Sequence, residues 1–311
     1  MKRIAAVVGP TASGKTALAV ELALRFNGEV ISADSMQIYR KLNIGTAKPT
    51  EEEMRGVKHH MLDVADPGES YSVSRYEKEA TACVEDILSR GKLPILCGGT
   101  GLYIDALIRG GGFLESGVDS GLRAKLEEEW DAQGGEAMLS RLAAFDPDSA
   151  ARLHLHDKKR IIRAMEVYLQ TGITITEHNA RTAALPPKYD AVMIGLRTEP
   201  RQILYDRINR RVTKMLEAGL EQEARRLLES GDLVGTAAQA IGYKEMLDYF
   251  RGEATLAEAA DLIRQKSRNY AKRQLTWFQR DERVHWITYN QPAAEAEVFR
   301  IATNFLQEKG L

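Results

Sequence analysis

The chain has 311 residues, enough for one large α/β domain or two domains with cores of their own. Charged residues make up 28%, hydrophobic ones 44%, and the formal net charge is −1, which excludes a globally basic nucleic-acid binder and leaves any such contact to local clusters. The two cysteines, Cys83 and Cys97, lack metal-ligand spacing and read as small buried residues of a reducing compartment. Met1-Lys2-Arg3 precedes only the short apolar run Ile4–Val8, and no stretch approaches membrane-spanning length, so a cytoplasmic protein without membrane association is expected.

Arg3–Val8 reads as a short apolar strand and Ala17–Phe26 as a helix. Between them lies Gly9-Pro10-Thr11-Ala12-Ser13-Gly14-Lys15-Thr16, which fits G-x-x-x-x-G-K-[ST] in the strand–loop–helix context that a phosphate loop requires. Glu29–Ala33 predicts a second strand ending at Asp34, Lys58–Val64 a third, Ser72–Ser89 a helix capped by Ser72 or Ser74, and Leu93–Cys97 a buried strand leading into Gly98-Gly99-Thr100-Gly101. Strands alternating with helices imply a doubly wound parallel sheet. After the breaker Gly110-Gly111-Gly112 the period turns helical from about Leu122 to Gln170, punctuated at Gly134-Gly135 and Asp146-Pro147. A strand returns at Tyr189–Leu196, Pro200 opens a long helix, Thr255 caps another reaching about Arg280, Val284–Thr288 is a last strand and Ala293–Gln307 a closing helix. The expected organisation is a P-loop α/β core of residues 1–112 and 188–311 with a helical insertion domain at 113–187.

The backbone amides of residues Gly9 to Thr16 suit a diphosphate, with Lys15 as a point charge and Thr16 as a Mg²⁺ ligand. P-loop kinases and NTPases carry a second acid at a strand end, but the strand at Leu93–Cys97 ends without one. The acid stands instead after the second strand, at Asp34, whose position at a carboxyl end turns it toward the same crevice. A carboxylate there can hold a metal indirectly, orient a ribose or take a proton. His59 and His60 are adjacent on a strand and point to opposite faces, so they cannot share one ion. Arg207 and Arg211 are four apart and share a helix face. Between Leu262 and Arg280 stand Arg264, Lys266, Arg268, Lys272, Arg273 and Arg280 with no Asp or Glu, which reads as a phosphate-tracking face whose interleaved Tyr270, Trp277 and Phe278 belong to the core.

Taken in order, Gly9–Thr16, Ile31–Tyr39, Ile44–Pro49, His59–Asp63, Gly98–Tyr103, Arg160–Val167, Ile241–Glu245 and Ala271–Phe278 resemble the bacterial tRNA dimethylallyltransferases (tRNA isopentenyltransferases) over nearly the whole chain. The resemblance implies transfer of the dimethylallyl group of dimethylallyl diphosphate to the exocyclic N6 of the adenosine just 3′ of the anticodon in tRNA, releasing pyrophosphate. It implies Mg²⁺ as cofactor, Asp34 as general base, and a grip on pyrophosphate by an arginine of the Arg207–Arg211 region, with Arg211 preferred. Ser35, Met36 and Gln37, with Thr100 nearby, are the implied contacts of the flipped purine, although Gln37 read from the residues alone is a solvated loop amide. Lys158, Lys159, Arg160 and Arg163 resemble a tRNA-contacting patch, and Arg264, Lys266, Lys272 and Arg273 are expected to meet the anticodon stem-loop. A monomer is expected. Two other readings stand beside this one: an adenylate isopentenyltransferase using free AMP, and a P-loop small-molecule kinase. Neither needs the basic helix or the insertion.

Overall fold

The structure, a computed structural model, describes residues 1–110, 120–290 and 295–311. Gly111-Gly112, the 112/113 boundary and positions 293–294 of the closing helix lie outside the described residues. The chain divides into two compact units, Met1–Ile108 with Lys188–Leu311, and Arg109–Pro187.

Strands β1 (Arg3–Val8), β2 (Gly28–Ala33), β3 (His59–His60), β4 (Leu93–Gly98), β5 (Asp190–Thr198) and β6 (Val284–Tyr289) form one sheet in the order β3-β2-β4-β1-β5-β6, with every pair parallel. Helices α1 (Lys15–Arg25), α2 (Glu51–Met54), α3 (Val73–Ser89) and α4 (Gly101–Arg109) come before the second unit. That unit contains α5 (Ser120–Ala143), α6 (Pro147–Arg152), α7 (Lys158–Thr171) and α8 (Ile175–Ala184), and α9 (Gln202–Glu217), α10 (Leu220–Glu229), α11 (Leu247–Phe250), α12 (Leu256–Phe278) and α13 (Glu295–Glu308) come after it.

The sheet is buried on both faces, as a parallel sheet must be. Along β1, Ile4, Ala6 and Val8 enter one core, and Ala5 and Val7 enter the other. The second core takes in Leu18, Leu22 and Ala23 of α1 and Ala302 and Leu306 of α13. The first takes in helices α3, α4, α10 and α12, through residues such as Tyr76, Ile104, Leu227 and Ile263. In the second unit, Leu126, Met138 and Leu142 of α5 pack with Ile161, Ile162 and Met165 of α7. Helix α5 is broken at Gly134, where φ is 81° and ψ 169°.

Two registers position the site. Val8 and Ala33 both pair with Gly98, so the chain leaves β1, β2 and β4 at the same level of the sheet. The P-loop, Asp34 and Thr100 therefore begin side by side. Several expectations are corrected in detail. The third strand is two residues long, because Met61 and Asp63 take positive φ (63° and 56°) and turn the chain out of the extended region. Pro200 stands two residues ahead of α9, where its carbonyl accepts from the N–H of Ile203. Helix α12 starts from the expected cap, a reciprocal Thr255–Glu258 box. Helices α4 and α10 add to the expected elements.

The irregular stretch between β2 and α2 is fixed from α10. The buried Glu223 carboxylate accepts from the N–H groups of Asn43 (3.2 Å), Ile44 (2.9 Å) and Gly45 (3.0 Å) and from the Tyr243 hydroxyl (2.8 Å). Burial and the Glu223 charge together push the Tyr243 phenol well above its usual pKa. An amide in place of the carboxylate would turn a donor toward donors. Glu223→Gln should therefore lower stability by about 2–4 kcal/mol, and Tyr243→Phe by only about 1 kcal/mol, in urea unfolding followed by circular dichroism. Equal, small effects of the two variants would contradict this account of the loop.

Candidate active site

Helix α1 is N-capped by Gly14 with no side-chain cap, so its first-turn N–H groups are left for an anion. The buried Ser13 hydroxyl also lacks a partner. The Lys15 ammonium reaches back to the Pro10 carbonyl at 3.2 Å. Its burial lowers its pKa, the Arg211 charge adds to the effect, and Cys97 and Asp34 oppose it. The Arg211 guanidinium donates to the Thr11 hydroxyl at 3.1 Å and is itself lowered by desolvation, with Asp34 raising it. Arg207 has a different place. Its Nε donates to the Ala12 carbonyl at 2.8 Å, its guanidinium lies 5.8 Å from the Tyr289 ring centre, and it lines a separate cavity with Ser13 and Gly14.

Gln274 of α12 ties the loop to the turn after β4. Its carbonyl oxygen accepts from the Thr11 N–H at 2.8 Å, and its amide nitrogen donates to the Gly99 carbonyl at 3.0 Å. A Cβ at position 99 would lie 2.0 Å from that nitrogen, so only glycine permits this approach.

Two cavities meet at Asp34. A small one, of about 50 Å³, is lined by Lys15, Thr16, Ser32, Gln37, His59 and Cys97 among others. A larger cleft, of about 450 Å³, is lined by Ser35, Met36, Ile241, Lys244, Lys266, Tyr270 and Arg273 among others. Asp34, Thr11, Thr46 and Arg211 line both. The Asp34 carboxylate is oriented by the N–H of Met36 (2.9 Å), with that of Gln37 farther off (3.4 Å). Thr100 accepts from the Ser35 N–H at 3.0 Å, so it positions the segment after Asp34.

The small cavity suits a hard cation. The Thr16 hydroxyl supplies an oxygen there, and the Asp34 carboxylate beside it can accept from waters that Mg²⁺ retains, which leaves the carboxylate itself uncoordinated. His59 adds an acceptor: its Nδ1 pairs with the Val57 carbonyl at 2.9 Å, and its buried Nε2 has no partner. Burial lowers its pKa, the Val57 carbonyl opposing and His60 assisting, which keeps the ring neutral. His60 turns the other way and meets Glu29 at 2.8 Å, as alternation on a strand requires. Among the described residues, no group of three or more His, Cys, Asp or Glu side chains gathers as a metal cage. The Cys97 thiol is pushed up to about 11, first by burial, and stays protonated.

Several sequence expectations change here. Gln37 neither lies free in solvent nor lines the larger cleft. Its oxygen accepts from the Ser32 hydroxyl (3.1 Å), and its nitrogen donates to the carbonyls of Thr46 (3.3 Å) and Ala47 (3.1 Å), so the amide is consumed in holding the loop. The basic residues of α12 do not form one face. Arg264 is bound to Asp261 (2.6 Å) and Thr213 (3.1 Å), and Arg268 to Asn209 (2.7 Å), both reaching across to α9. Lys266 and Arg273 line the cleft, while Lys272 is exposed. Phe278 is buried as expected, but Trp277 is 43% exposed. In the second unit, Lys158 pairs with Asp131 (2.5 Å) and Arg163 with the buried Glu166 (2.8 Å), whereas Lys159 and Arg160 are exposed. Sequence reasoning gave no role to Gln274 or Glu223, whose backbone partners lie over 170 residues away; it placed Tyr270, which lines the cleft, in the core, and took Ile241–Glu245 only as a family motif.

Known proteins match this chain along its whole length. A model of the family described as IPP transferase matches residues 37–281, and one described as isopentenyl transferase matches residues 2–70. The tRNA dimethylallyltransferase of Acetivibrio thermocellus is 45% identical over 312 residues, covering 100% of this chain and 99% of that protein. That of Heliobacterium modesticaldum is 48% identical over 282 residues, covering 90% and 88%. Among solved structures, the full-length tRNA isopentenylpyrophosphate transferase of Bacillus halodurans is 44% identical with a TM-score of 0.72, covering 99% of this chain and 98% of that one. A eukaryotic dimethylallyltransferase acting on tRNA is 28% identical with a TM-score of 0.81, covering 99% of this chain and 80% of that one. With a parallel P-loop sheet, an acid placed after β2 and matches along its whole length, the chain belongs to the IPP transferase family.

Proposed function

We infer that the protein is a tRNA dimethylallyltransferase, moving the five-carbon group of dimethylallyl diphosphate to the N6 amine of the adenosine 3′ of the anticodon. The observation that carries the reading is that Asp34 stands on the wall shared by the P-loop cavity and the larger cleft. The diphosphate end of the donor occupies the first, the flipped adenosine enters through the second, and their reacting atoms meet beside one carboxylate.

The chemistry uses that arrangement directly. The N6 lone pair is delocalised into the purine, so the amine attacks weakly unless its proton is accepted. As the N6–C1 bond forms, Asp34 takes the proton. The C1–O bond breaks, and its electron pair leaves on pyrophosphate. Lys15, Arg211 and the uncapped amides of α1 neutralise that growing charge. Thr16, with Asp34 beside it, would hold Mg²⁺, which would supply further charge stabilisation at the leaving oxygens. Arg207 braces the loop from the Ala12 carbonyl rather than gripping pyrophosphate. Ser35 and Met36 contact the purine in the larger cleft. Expulsion of pyrophosphate drives the reaction, so no acid at the end of β4 is needed to hydrolyse ATP.

An acceptor larger than AMP is favoured by the names of the relatives, which specify tRNA, and by the cations of the cleft, Lys244, Lys266 and Arg273. The exposed Lys159 and Arg160 of the second unit offer further phosphate contacts. The reading places the enzyme in the cytoplasm as a monomer. Among the described residues, no helix is long and apolar enough to cross a membrane.

Replacing Asp34 by Asn keeps the side chain's shape and removes the base. kcat should fall about 100-fold or more while tRNA affinity stays near wild type. A near-normal kcat with both substrates saturating would remove Asp34 from the mechanism. The two faces of α12 should separate in a salt series. Lys266→Ala with Arg273→Ala should weaken tRNA binding and flatten the log–log salt slope by about one unit per lost phosphate contact. Arg264→Ala with Arg268→Ala should lower the melting temperature and leave the slope alone. The reverse pattern would put the RNA on the α9 side of the helix.

A further inference from the structure

Lys266, Tyr270, Arg273 and Trp277 succeed one another along α12 at steps of four, three and four residues, within about 60° of arc on one helix face. The first three line the larger cleft, and Trp277 extends the line past its end. Its indole is 43% exposed, although the adjacent Phe278 is buried at 2%. Exposure does not leave the ring free to turn. Nε1 donates to the Asp105 carboxylate at 3.0 Å, and Asp105 also lies 3.9 Å from Arg283. Below, the ring packs on Gly101 so closely that a Cβ there would come within 2.2 Å of Cδ1. Lys272, Arg273 and Arg280 on the same stretch are all exposed, and Arg273 lies over the Tyr270 ring at 5.5 Å.

A large aromatic surface held at one angle, with exposed Arg273 on its own helix face and Arg280 one turn beyond, is poorly suited to an apolar protein partner, which would bury those charges unpaired. It suits an unpaired nucleobase, whose π-face stacks on the ring while its phosphates meet the cations. A base drawn out of a loop into the cleft also leaves its neighbour without a stacking partner. We propose that Trp277 is the stacking platform for the nucleotide adjoining the target adenosine, replacing the partner lost when that adenosine enters the cleft. The proposal rests on the tRNA reading of the site. Trp277 touches no reacting atom, so it is a positioning residue.

The test uses the full-length protein with Trp130→Phe and Trp286→Phe, which leaves Trp277 as the one tryptophan of the chain's three. Titration with an anticodon stem-loop RNA should quench its fluorescence. A stem-loop made abasic at both neighbours of the target should bind more weakly and quench little. Trp277→Ala should weaken stem-loop binding about 5- to 150-fold and raise KM for the RNA more than it lowers kcat. Trp277→Phe should restore most of the affinity, and pyrophosphate binding should be unchanged in both variants. If Trp277→Ala proves unfolded by circular dichroism, quenching in the folded double-Phe protein decides the matter. RNA binding without quenching, or full RNA affinity in a folded Trp277→Ala protein, overturns the proposal. A wild-type protein that neither binds nor prenylates the stem-loop fails at the earlier step and overturns the tRNA reading itself.

Discussion

The register that sets Val8 and Ala33 level with Gly98 is the constraint on which the site depends. Parallel strands deliver their carboxyl ends to one edge of a sheet, and here three neighbouring strands end at the same height. Each strand gives way at once to a functional segment: β1 to a phosphate loop, β2 to an aspartate, and β4 to the turn carrying Thr100. A shift by one residue in either ladder would exchange the two buried faces and move Asp34 away from the loop. The two apolar cores, alternating along β1, are what hold that register.

Strand ends alone would leave flexible loops, and the remaining order comes from two polar side chains on distant helices. Gln274 satisfies a backbone donor of the P-loop and bonds a backbone carbonyl after β4, so that helix α12 fixes both. Glu223 does the same for the loop after Asp34, occupying a nest of amides with a buried carboxylate. Both are buried groups whose hydrogen bonds are largely satisfied, which rigidifies a site and makes loss of a partner expensive. Preorganisation of this kind matters for a reaction whose main demand is stabilising charge on a leaving diphosphate, because dipoles fixed beforehand need not reorganise during the step.

Charge on α12 is divided by helical period rather than spread along it. Residues 264, 268, 271 and 275 turn toward α9, where Ala271 and Leu275 pack with Leu204 and Ile208 and the two arginines cover that seam through Thr213 and Asn209. Residues 266, 270, 273 and 277 turn toward the cleft and the surface beyond it. One helix thus serves as a structural brace and as a substrate-facing wall, with Gln274 joining the two roles.

Sequence by itself determined the strands and their order along the chain, the P-loop, the acid after β2 and the helical period from about Leu122 to Gln170, and the order of these motifs along the chain carried the family resemblance. Each is a local pattern, set by period, caps or spacing within a few residues. Tertiary structure alone decided the sheet order, the consumption of Gln37 in an internal network, the separation of Arg211 in the cavity from Arg207 behind the loop, and the partners of Glu223 and Gln274. It also set Arg264 and Arg268 of α12 against α9 and Lys266 and Arg273 in the cleft, which a count of cations could not do. A hydrogen bond between residues 263 positions apart, such as that from Thr11 to Gln274, leaves no trace in the composition around either one. It exists because the sheet and the helices pack in one way, and packing depends on every apolar residue at once.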